Sequence, residues 1–515
     1  MRHDEGSLGG ASLRADPLDA RRTPAELDPG EFARIGHRLI DDVTQLLYSM
    51  RERPLATGET PQETRKLLGA DRPLPSEESD PGEVLAEATR LLVQHSVFNA
   101  HPRFFGYITA GAAPLGVLGD LLASAVNPNV GATTLSPMAT EMEAQAVRWI
   151  AELIGFPPGG DGVLVSGGNV ANLLGFWAAR ASVKEWDVRR DGMRAEGARS
   201  LRVYGSVGMH TWIQKAADLS GLGTSSIRWV ETDARGALDA NALRRRVAED
   251  VAAGDVPLLV VGTAGSVSTG VIDPLAELRE VCDEHGVWLH VDGAYGAFAA
   301  VAANAPGELR GIALADSVAV DPHKWLYAPL EAGCTLVRRP DALLAAFSYQ
   351  PEYYHFGEET RNYFERGPQN SRGFRALKVW LLLRQLGRDA YARMIGEDIE
   401  LAARFHGLAS AHAELEALTH ALSITTFRYI PRDLRGRASQ PAVGTYLNEL
   451  NEAVQARMER SGRAFVSNAV LGGVYALRMC VVNFRTTLAD VEALADITVE
   501  LGRAADQEMR PAALA

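Results

Sequence analysis

The chain has 515 residues, more than one hydrophobic core usually organises, so its length excludes a single small domain and predicts two or three domains. Hydrophobic residues make up 46% and charged residues 23% of the chain, which excludes a disordered or collagen-like protein. A net charge of −13, without a long run of Lys or Arg, argues against nucleic acid as a partner.

The cysteines and the apolar runs indicate the compartment. Cys282, Cys334 and Cys480 are too far apart for a close-spaced zinc site or a disulfide framework, so a reducing cytoplasm is expected. The amino terminus contains no apolar stretch typical of a signal peptide. Since no run approaches the roughly 18 consecutive apolar residues of a membrane span, we expect no membrane association.

The amino-terminal part of the chain is predicted to be helical. Residues 1–30 are polar and rich in Ala, Arg, Asp and Pro, so we expect a mobile arm there. Apolar residues then recur at helical spacing from 31 to about 50, which predicts an amphipathic helix. A Pro/Glu/Thr-rich stretch over 53–82 is typical of a linker, and a second helical pattern follows it. We therefore expect a helical N-terminal segment over 31–110.

Between about residues 110 and 345, short β-branched runs alternate with longer amphipathic segments. This alternation is typical of βαβ units and predicts a mostly parallel sheet in a large domain over 111–390. The predicted strands are VLVS (163–166), LRVYG (201–205), SIRWV (226–230), PLLVVG (257–262), VWLHVD (287–292), SVAVD (317–321) and CTLVRR (334–339). A long helix beyond Gly373 and a tail of mixed strand and helix patterns predict a smaller α+β domain over 391–515.

Polar residues directly after these strands are the candidates for chemistry, because a parallel α/β sheet binds its ligands at the carboxyl ends of its strands. The first group is Ser166-Gly167-Gly168-Asn169, between a strand and a predicted helix. Its glycines allow a ligand to approach closely, and the free amides of a helix start favour a phosphate. The same residues are also consistent with an ordinary glycine-rich turn.

An acid, a lysine and a histidine follow other strands. Asp292 ends an apolar strand, where a carboxylate needs a cation such as a protonated pyridinium nitrogen, unless it simply caps a helix. Lys324 lies between a strand end and a Trp-Leu-Tyr segment, and a desolvated lysine forms a Schiff base readily, unless it reaches solvent from a loop. His210 follows the strand LRVYG, where an imidazole can stack on a planar ring or cap a helix.

Asp292 and Lys324 lie within the motifs HVDGAYG and DPHKW, and the glycine turn and His210 precede them. With these motifs the chain resembles the group II pyridoxal-phosphate-dependent decarboxylases, the family of aromatic-L-amino-acid, histidine and glutamate decarboxylases. The resemblance runs from about Glu31 to Gly502. It implies an α/β protein of fold type I, like aspartate aminotransferase, with a mostly parallel seven-stranded sheet and a smaller α+β C-terminal domain.

The resemblance also implies roles for individual residues. Lys324 would hold pyridoxal 5′-phosphate as a Schiff base, and Asp292 would pair with the pyridine nitrogen. The ring would lie between His210 and Ala294. The residues implied to contact the phosphate are Gly168, Asn169, His323 and, from the neighbouring subunit, Ser371.

The segment from Ser348 to Ser371 is polar, aromatic-rich and poorly periodic, and alone it indicates a surface loop. The resemblance implies that this segment closes over the active site and that Tyr353 delivers a proton to the α-carbon after carbon dioxide leaves. Because the loop and Ser371 would complete the neighbouring site, we expect a homodimer with shared active sites.

The implied function is decarboxylation of an L-amino acid to the amine and carbon dioxide. The catalytic residues would be Lys324, Asp292, His210 and Tyr353. Some relatives instead couple decarboxylation to oxygen-dependent deamination and release an aldehyde, a change associated with loss of the loop tyrosine, which is present here. A transaminase and a non-catalytic protein built on this fold are further alternatives.

The substrate stays open at the level of sequence. The segment HPRFFGYITAG keeps aromatic residues that are typical of pockets for aromatic amino acids. Four positions where bulkier aromatic groups are typical instead carry small or polar residues: Asn99, Asn129, Gly131 and Thr133. These four residues argue against a pocket restricted to dopa or tryptophan.

Overall fold

The computed structural model describes residue 23 and residues 25–349 and 361–514, and the chain divides into two compact units. The predicted mobile arm over 1–30 falls mostly outside the described residues, and Tyr353 falls outside them entirely. The first unit comprises Met1–Ser49 and Glu59–Ser96. Its helices are α1 (Pro29–Tyr48), α2 (Pro61–Leu68) and α3 (Pro81–His95).

Local capping explains where these three helices begin. Each has Pro in its first turn, where the missing amide costs no hydrogen bond. Asp28 caps α1, and Thr60 and Glu63 form a capping box on α2. Helix α2 lies inside the stretch over 53–82 that was predicted to be a linker, so that prediction is wrong there. The Thr-Pro-Gln-Glu sequence of the capping box was the available signal.

The apolar residues of the first unit are not enclosed by its own three helices. Every residue of α1, α2 and α3 is at least partly exposed. Phe32 is 66% exposed and Leu92 65% exposed, and both belong to amphipathic helices. Across the described ranges of the chain, no helix combines the length and the apolar character needed to cross a membrane.

The second unit comprises Met50–Gly58 and Val97–Ala515 and holds the remaining elements. Its helices are α4 (Pro114–Val126), α5 (Pro137–Leu153), α6 (Gly168–Ala181), α7 (Val188–Asp191), α8 (Trp212–Leu219), α9 (Ala240–Ala252), α10 (Leu275–His285), α11 (Ala342–Phe347), α12 (Ala376–Ala411), α13 (Pro441–Ser461) and α14 (Leu488–Met509). Its strands are β1 (Asp161–Val165), β2 (Leu201–Ser206), β3 (Ile227–Val230), β4 (Val256–Thr263), β5 (Trp288–Asp292), β6 (Ser317–Val320), β7 (Gly333–Val337), β8 (Leu415–Ala421), β9 (Ile424–Tyr429), β10 (Ser467–Leu471) and β11 (Val474–Cys480).

The first seven strands form one sheet in the order β1-β7-β6-β5-β4-β2-β3. Strand β7 runs antiparallel to both neighbours, and the other pairings are parallel. All seven predicted strands are therefore confirmed, as is the mostly parallel sheet. Because the parallel strands share one direction, their carboxyl ends meet at one edge, where Asp292 ends β5 and Asp321 follows β6.

The sheet has a hydrophobic core on each face. Neighbouring residues of one strand belong to different clusters: Leu164 packs in one cluster and Val165 in the other, and Val260 and Val261 divide in the same way. Side chains alternate across a strand, so the two clusters are the two faces of the sheet. Helices cover both faces, which explains why the strands are mostly apolar.

A second, antiparallel sheet has the strand order β10-β11-β9-β8. It packs with α12, α13 and α14 around a separate hydrophobic cluster. Helix α12 connects the two regions and is interrupted at Gly387, whose φ of 65° and ψ of 176° lie outside helical geometry. A residue with a side chain is strained at this positive φ, so glycine suits the break.

Candidate active site

Lys324 lies in the short connection between β6 and β7. Its Nζ is 3.0 Å from Asp321 Oδ2, and its side chain is 18% exposed. A tight turn holds it there, because the amide of Lys324 donates to the carbonyl of Asp321 over 2.9 Å. The flanking residues Asp321 and Trp325 are buried. The structure thus presents a partly accessible amine beside a buried carboxylate at the carboxyl end of β6.

Asp292 ends β5 at the same edge of the sheet and is buried. Its Oδ2 accepts a hydrogen bond of 2.8 Å from the indole Nε1–H of Trp212. Its Oδ1 accepts a hydrogen bond of 3.2 Å from the amide of Ala294. Both carboxylate oxygens are therefore oriented by donors. Sequence reasoning did not identify Trp212, which stands two residues after His210.

His210 lies between β2 and α8, and its Nδ1 accepts a hydrogen bond of 3.2 Å from the amide of Trp212. The residue is exposed, yet the surrounding protein still partly desolvates its ring. The pKa of His210 is lowered by this desolvation and also by the charge of Lys324, while Asp292 acts in the opposite direction. His210 therefore lies within electrostatic range of both predicted partners and favours its neutral form.

The start of α6 lies against the other predicted residues. A Cβ atom on Gly168 would be 2.7 Å from Asp321 Oδ2 and 3.1 Å from Ala294 Cβ, so only glycine allows this approach. Among the described residues, no side chain caps the amides of this helix start. Uncapped amides at a helix start attract anions. Asn169, at the second position of the helix, is exposed.

His323 and Asp321 form the wall next to this helix start. The Nδ1 of His323 lies 2.7 Å from the carbonyl oxygen of Ala332, and its Nε2 lies 3.6 Å from Asp321 Oδ2. The pKa of His323 is lowered, mainly because burial disfavours its charged form. The Oδ1 of Asp321 is buried and has no hydrogen-bond partner within the part of the chain that the structure describes.

Ser371 is exposed, and the described residues provide no hydrogen bond or ion pair that joins its side chain to Lys324 or Asp292. Its neighbour Arg372 is buried and forms a 2.6 Å ion pair with Glu143. Arg372 also donates to the carbonyl oxygens of Val130 and Leu164. This buried pair fixes the backbone next to Ser371 against β1.

A second group that sequence reasoning missed lies behind Lys324. Trp325 and Tyr327 both donate to Asp398 Oδ2, over 2.9 and 3.0 Å. Asp398 belongs to α12 and is buried. The apolar Trp-Leu-Tyr run after Lys324 was a signal for burial, but its partner lies more than seventy residues later in the chain.

The residues present fit pyridoxal phosphate. The fit rests on the partly exposed amine of Lys324, the buried carboxylate of Asp292 and the uncapped amides at the start of α6. The space beside that helix start exists only because residue 168 is glycine. An amine forms a Schiff base with an aldehyde, a carboxylate suits a protonated ring nitrogen, and amides suit a phosphate. One feature of this site does not suit a phosphate: the buried Asp321 Oδ1 has no hydrogen-bond partner among the described residues, and a carboxylate repels an anion.

Comparison with known proteins identifies the family. The model of the pyridoxal-dependent decarboxylase conserved domain matches residues 61–430. An aromatic-L-amino-acid decarboxylase of Bacillus atrophaeus is 31% identical and covers 90% of this chain and 94% of its own. A phenylacetaldehyde synthase of a Rosa hybrid cultivar is 30% identical, with 88% and 90% covered. The crystal structure of Oryza sativa TDC with PLP and tryptamine superposes with a TM-score of 0.85 at 25% identity, covering 94% of this chain and 99% of that one.

These matches confirm the predicted fold, since the similar structures are pyridoxal-phosphate-dependent decarboxylases of fold type I. They also confirm pyridoxal phosphate as the cofactor. The alignments span nearly the whole length of each relative, so the family assignment applies to the chain as a whole. The chain belongs to the pyridoxal-dependent decarboxylases and is a pyridoxal-phosphate-dependent amino-acid decarboxylase.

Proposed function

We propose that the chain removes the α-carboxylate of an aromatic L-amino acid as carbon dioxide and releases the amine, with pyridoxal phosphate held by Lys324. The observation that supports this best is the convergence of three predicted residues at one edge of the sheet. His210 lies within electrostatic range of both Lys324 and Asp292. Residues far apart in the chain thus meet where a parallel sheet binds its ligands.

Further residues are proposed to hold the cofactor. Asp292 would pair with the ring nitrogen, and Ala294 would pack against the ring on the side away from His210. The close approach of α6 to Ala294 supports a cradle that is continuous from the ring to the phosphate. The proposed phosphate contacts are Gly168, Asn169, His323 and, from the neighbouring subunit, Ser371.

When bound, pyridoxal phosphate supplies a conjugated ring that accepts the electron pair left on the α-carbon as carbon dioxide departs. The negative charge of Asp292 favours a proton on the ring nitrogen. His210 Nδ1 accepts a hydrogen bond from the backbone amide of Trp212, so the neutral ring carries its proton at Nε2. Lys324 must lose a proton from Nζ before it can act as a nucleophile. Tyr353, outside the described residues, is proposed to donate the final proton.

Two of the residues that argued against a pocket restricted to dopa or tryptophan have other partners in the folded chain. Asn129 Oδ1 accepts from the amides of Gly131 and Arg372, over 3.1 and 3.0 Å. Thr133 Oγ1 donates to the carbonyl of Arg361 over 2.6 Å. Their polar atoms hold the segment after residue 360 in place. Their polarity therefore does not argue against the aromatic substrates that are named for the bacterial relative.

Two measurements test the proposal. Lys324→Ala is expected to abolish the visible absorption band of lysine-bound cofactor, because no other amine occupies the connection after β6. Lys184→Ala is the control, since Lys184 is an exposed lysine between α6 and α7 and should leave the band intact. A band that persists in Lys324→Ala would refute the assignment. Incubation with the common amino acids, ornithine, diaminobutyrate and dopa, with detection of carbon dioxide and amine, identifies the substrate.

One relative, the phenylacetaldehyde synthase, is named for an aldehyde product, so a second candidate function is oxidative decarboxylation to an aldehyde. In that reaction the amino acid, oxygen and water yield an aldehyde, carbon dioxide, ammonia and hydrogen peroxide. Quantifying peroxide and aldehyde against amine separates the two activities. Amine equal to the released carbon dioxide supports decarboxylation alone, whereas stoichiometric peroxide would replace it with the oxidative reaction.

The proposed active form is a cytoplasmic homodimer. In this proposal, residues 31–110 form the dimerisation segment, residues 111–390 form the cofactor-binding domain and residues 391–515 form the small domain. The exposed apolar residues of α1 and α3 support an additional partner surface, as do Leu118 and Leu121 of α4. The three buried free cysteines are consistent with a reducing compartment. Mixing inactive Lys324→Ala and Ser371→Ala chains tests shared sites, because a hybrid dimer regains one intact site. Cell fractionation tests the compartment.

A further inference from the structure

Trp212, the first residue of α8, contacts two of the residues proposed to act on the cofactor. Its indole Nε1–H donates to Asp292 Oδ2 over 2.8 Å, and its backbone N–H donates to His210 Nδ1 over 3.2 Å. Its side chain is fully buried. We infer that Trp212 is a positioning residue that fixes the Asp292 carboxylate and the His210 ring relative to each other; the inference rests on the proposed roles of those two residues.

The indole bond restricts the Asp292 carboxylate in a way that a hydroxyl would not. An indole nitrogen donates and cannot accept, so this contact has a single polarity and serves only an acceptor oxygen. The other oxygen of Asp292 is held by the Ala294 amide over 3.2 Å. The carboxylate therefore cannot rotate without losing the indole bond.

The indole itself is held from behind by a buried histidine. His290 lies with its ring edge-on to Trp212, at 5.5 Å between ring centroids and 76° between planes. Its Nε2 is 2.7 Å from Asn172 Oδ1 and its Nδ1 is 2.7 Å from Ser317 Oγ. Burial lowers the pKa of His290 to about 4, so the ring is neutral and one nitrogen donates while the other accepts. Trp288 donates to Ser317 Oγ over 2.8 Å and completes the chain of bonds.

The ring contact and these hydrogen bonds connect Trp212 to the helix whose start is the proposed phosphate cradle. Asn172 belongs to α6, the helix that begins at Gly168. A Cβ atom on Gly175, one turn further along, would be 2.5 Å from His290 Cε1, so α6 packs directly on the histidine. Asn172 of α6, the histidine and the indole therefore form one buried layer next to Asp292, and a shift of the indole is opposed by close packing.

The two bonds of Trp212 can be separated experimentally. The bond to His210 comes from the backbone and survives a change of side chain, whereas the bond to Asp292 comes from the indole. Trp212→Phe keeps an aromatic ring on the side of His290 and removes the indole donor together with part of the ring volume. Trp177→Phe is the matched control: Trp177 donates to Ser220 Oγ over 2.9 Å and lies edge-on to Phe347 at 5.8 Å, away from the proposed cofactor residues.

The readouts are the dissociation constant of pyridoxal phosphate and the pH dependence of its visible absorption band on the protein. A hydrogen bond to a charged group contributes about 1.5–3 kcal/mol, so Trp212→Phe is expected to weaken cofactor binding by about 10- to 150-fold. The pH dependence of the band should also shift. Trp177→Phe should match the wild type in both readouts, although it loses an indole bond of similar length.

The inference is overturned if Trp212→Phe binds the cofactor and shows the band as the wild type does. Should Trp212→Phe fail to fold, site-specific 3-benzothienylalanine at position 212 decides the question, because its sulfur replaces the N–H without changing the ring size. Unchanged cofactor binding in that protein overturns the inference, and weakened binding supports it. If the wild type itself shows no lysine-bound band, the proposed function fails and the inference fails with it.

Discussion

The indole Nε1–H of Trp325 donates to Asp398 Oδ2 over 2.9 Å, which ties the residue directly after Lys324 to helix α12. The hydroxyl of Tyr327, whose φ is 54°, donates to the same oxygen over 3.0 Å. Asp398 is buried, and burial raises the pKa of its carboxyl to about 7, although the two donors oppose the rise. A buried acid that titrates near neutral pH therefore lies behind the loop that carries Lys324.

Asp398→Asn is expected to change how the free energy of unfolding depends on pH. The carboxyl has a pKa of about 7 when folded, above the value of an exposed aspartate, so its contribution to stability is present at low pH and is lost as pH rises toward 7. Asparagine keeps an acceptor oxygen and does not titrate. Relative to the variant, the wild type should lose roughly 2–3 kcal/mol between pH 5 and pH 8.

Urea unfolding of both proteins at pH 5 and pH 8 measures this difference, because all other titrating groups are common to both. If the two stabilities change with pH in parallel, Asp398 does not titrate in this range. The absorption band of bound cofactor is then followed across the same pH range in both proteins. A difference between them shows that the protonation state of Asp398 affects the cofactor held by Lys324.

Glu143→Gln is expected to destabilise the chain strongly. Glu143 and Arg372 are almost fully buried and pair over 2.6 Å, and removing one partner of such a pair costs about 3–5 kcal/mol because the other charge stays buried. Glu284→Gln is the control, since its partner Arg244 lies on the surface at 3.0 Å and its loss should barely move the unfolding midpoint.

Differential scanning calorimetry compares the two variants. Because Arg372 also fixes the backbone next to Ser371, Glu143→Gln should weaken cofactor binding as well if the proposed homodimer places Ser371 in the neighbouring site. Equal unfolding midpoints for Glu143→Gln and Glu284→Gln would contradict the importance of the buried pair.

The parts of the fold that the sequence predicted are those set by local pattern. The strand VWLHVD is mostly apolar because helices cover both faces of the sheet, and its terminal Asp292 could be recognised by position alone. Helix α2 was missed because its capping box carries few apolar residues and reads as a linker. Lys324 was found because a charged residue interrupts an apolar context.

The residues that sequence reasoning missed act through partners distant in the chain. Trp212 reads as an ordinary core residue of an amphipathic helix, and its bond to Asp292 spans eighty positions. Asp321 lies within the motif DPHKW, but the sequence predicted no role for it. Its contact with the start of α6 depends on how β6 and α6 are arranged in the folded chain. Asp398 lies on a helix whose burial the local pattern does not show. Such contacts are set by tertiary packing and have no local periodicity.

Asp321→Asn is expected to tighten binding of pyridoxal phosphate. The Asp321 carboxylate lies beside the start of α6 and pairs with Lys324 over 3.0 Å, so its negative charge opposes an incoming phosphate. Removing the charge should lower the dissociation constant roughly 10-fold, from a Coulomb interaction across a partly screened site. Fluorescence titration with the cofactor, repeated with inorganic phosphate alone, measures this effect.

Asp255→Asn is a suitable control, because Asp255 pairs with Arg202 over 2.5 Å on the far side of β2 and should leave cofactor affinity unchanged. Weaker binding by Asp321→Asn would contradict the electrostatic argument. It would mean that the carboxylate is needed to hold Lys324 in position.

Two substitutions should move the pKa of His210 in opposite directions. Desolvation lowers this pKa most, the charge of Lys324 lowers it further, and the charge of Asp292 raises it. In the cofactor-free protein, Lys324→Met should therefore raise the pKa of His210, and Asp292→Asn should lower it. Titration by NMR of ¹³C-labelled histidine rings measures both shifts, with the His210 signal assigned by its loss in His210→Asn.

His420 provides an internal control for this titration. Its pKa is lowered by burial and by His406, so neither substitution at the cofactor site should move it. If Lys324→Met and Asp292→Asn shift His210 in the same direction, a structural change rather than charge governs its titration. Opposite shifts place the three side chains within electrostatic range of one another in solution, because only direct charge effects reverse sign with the charge removed.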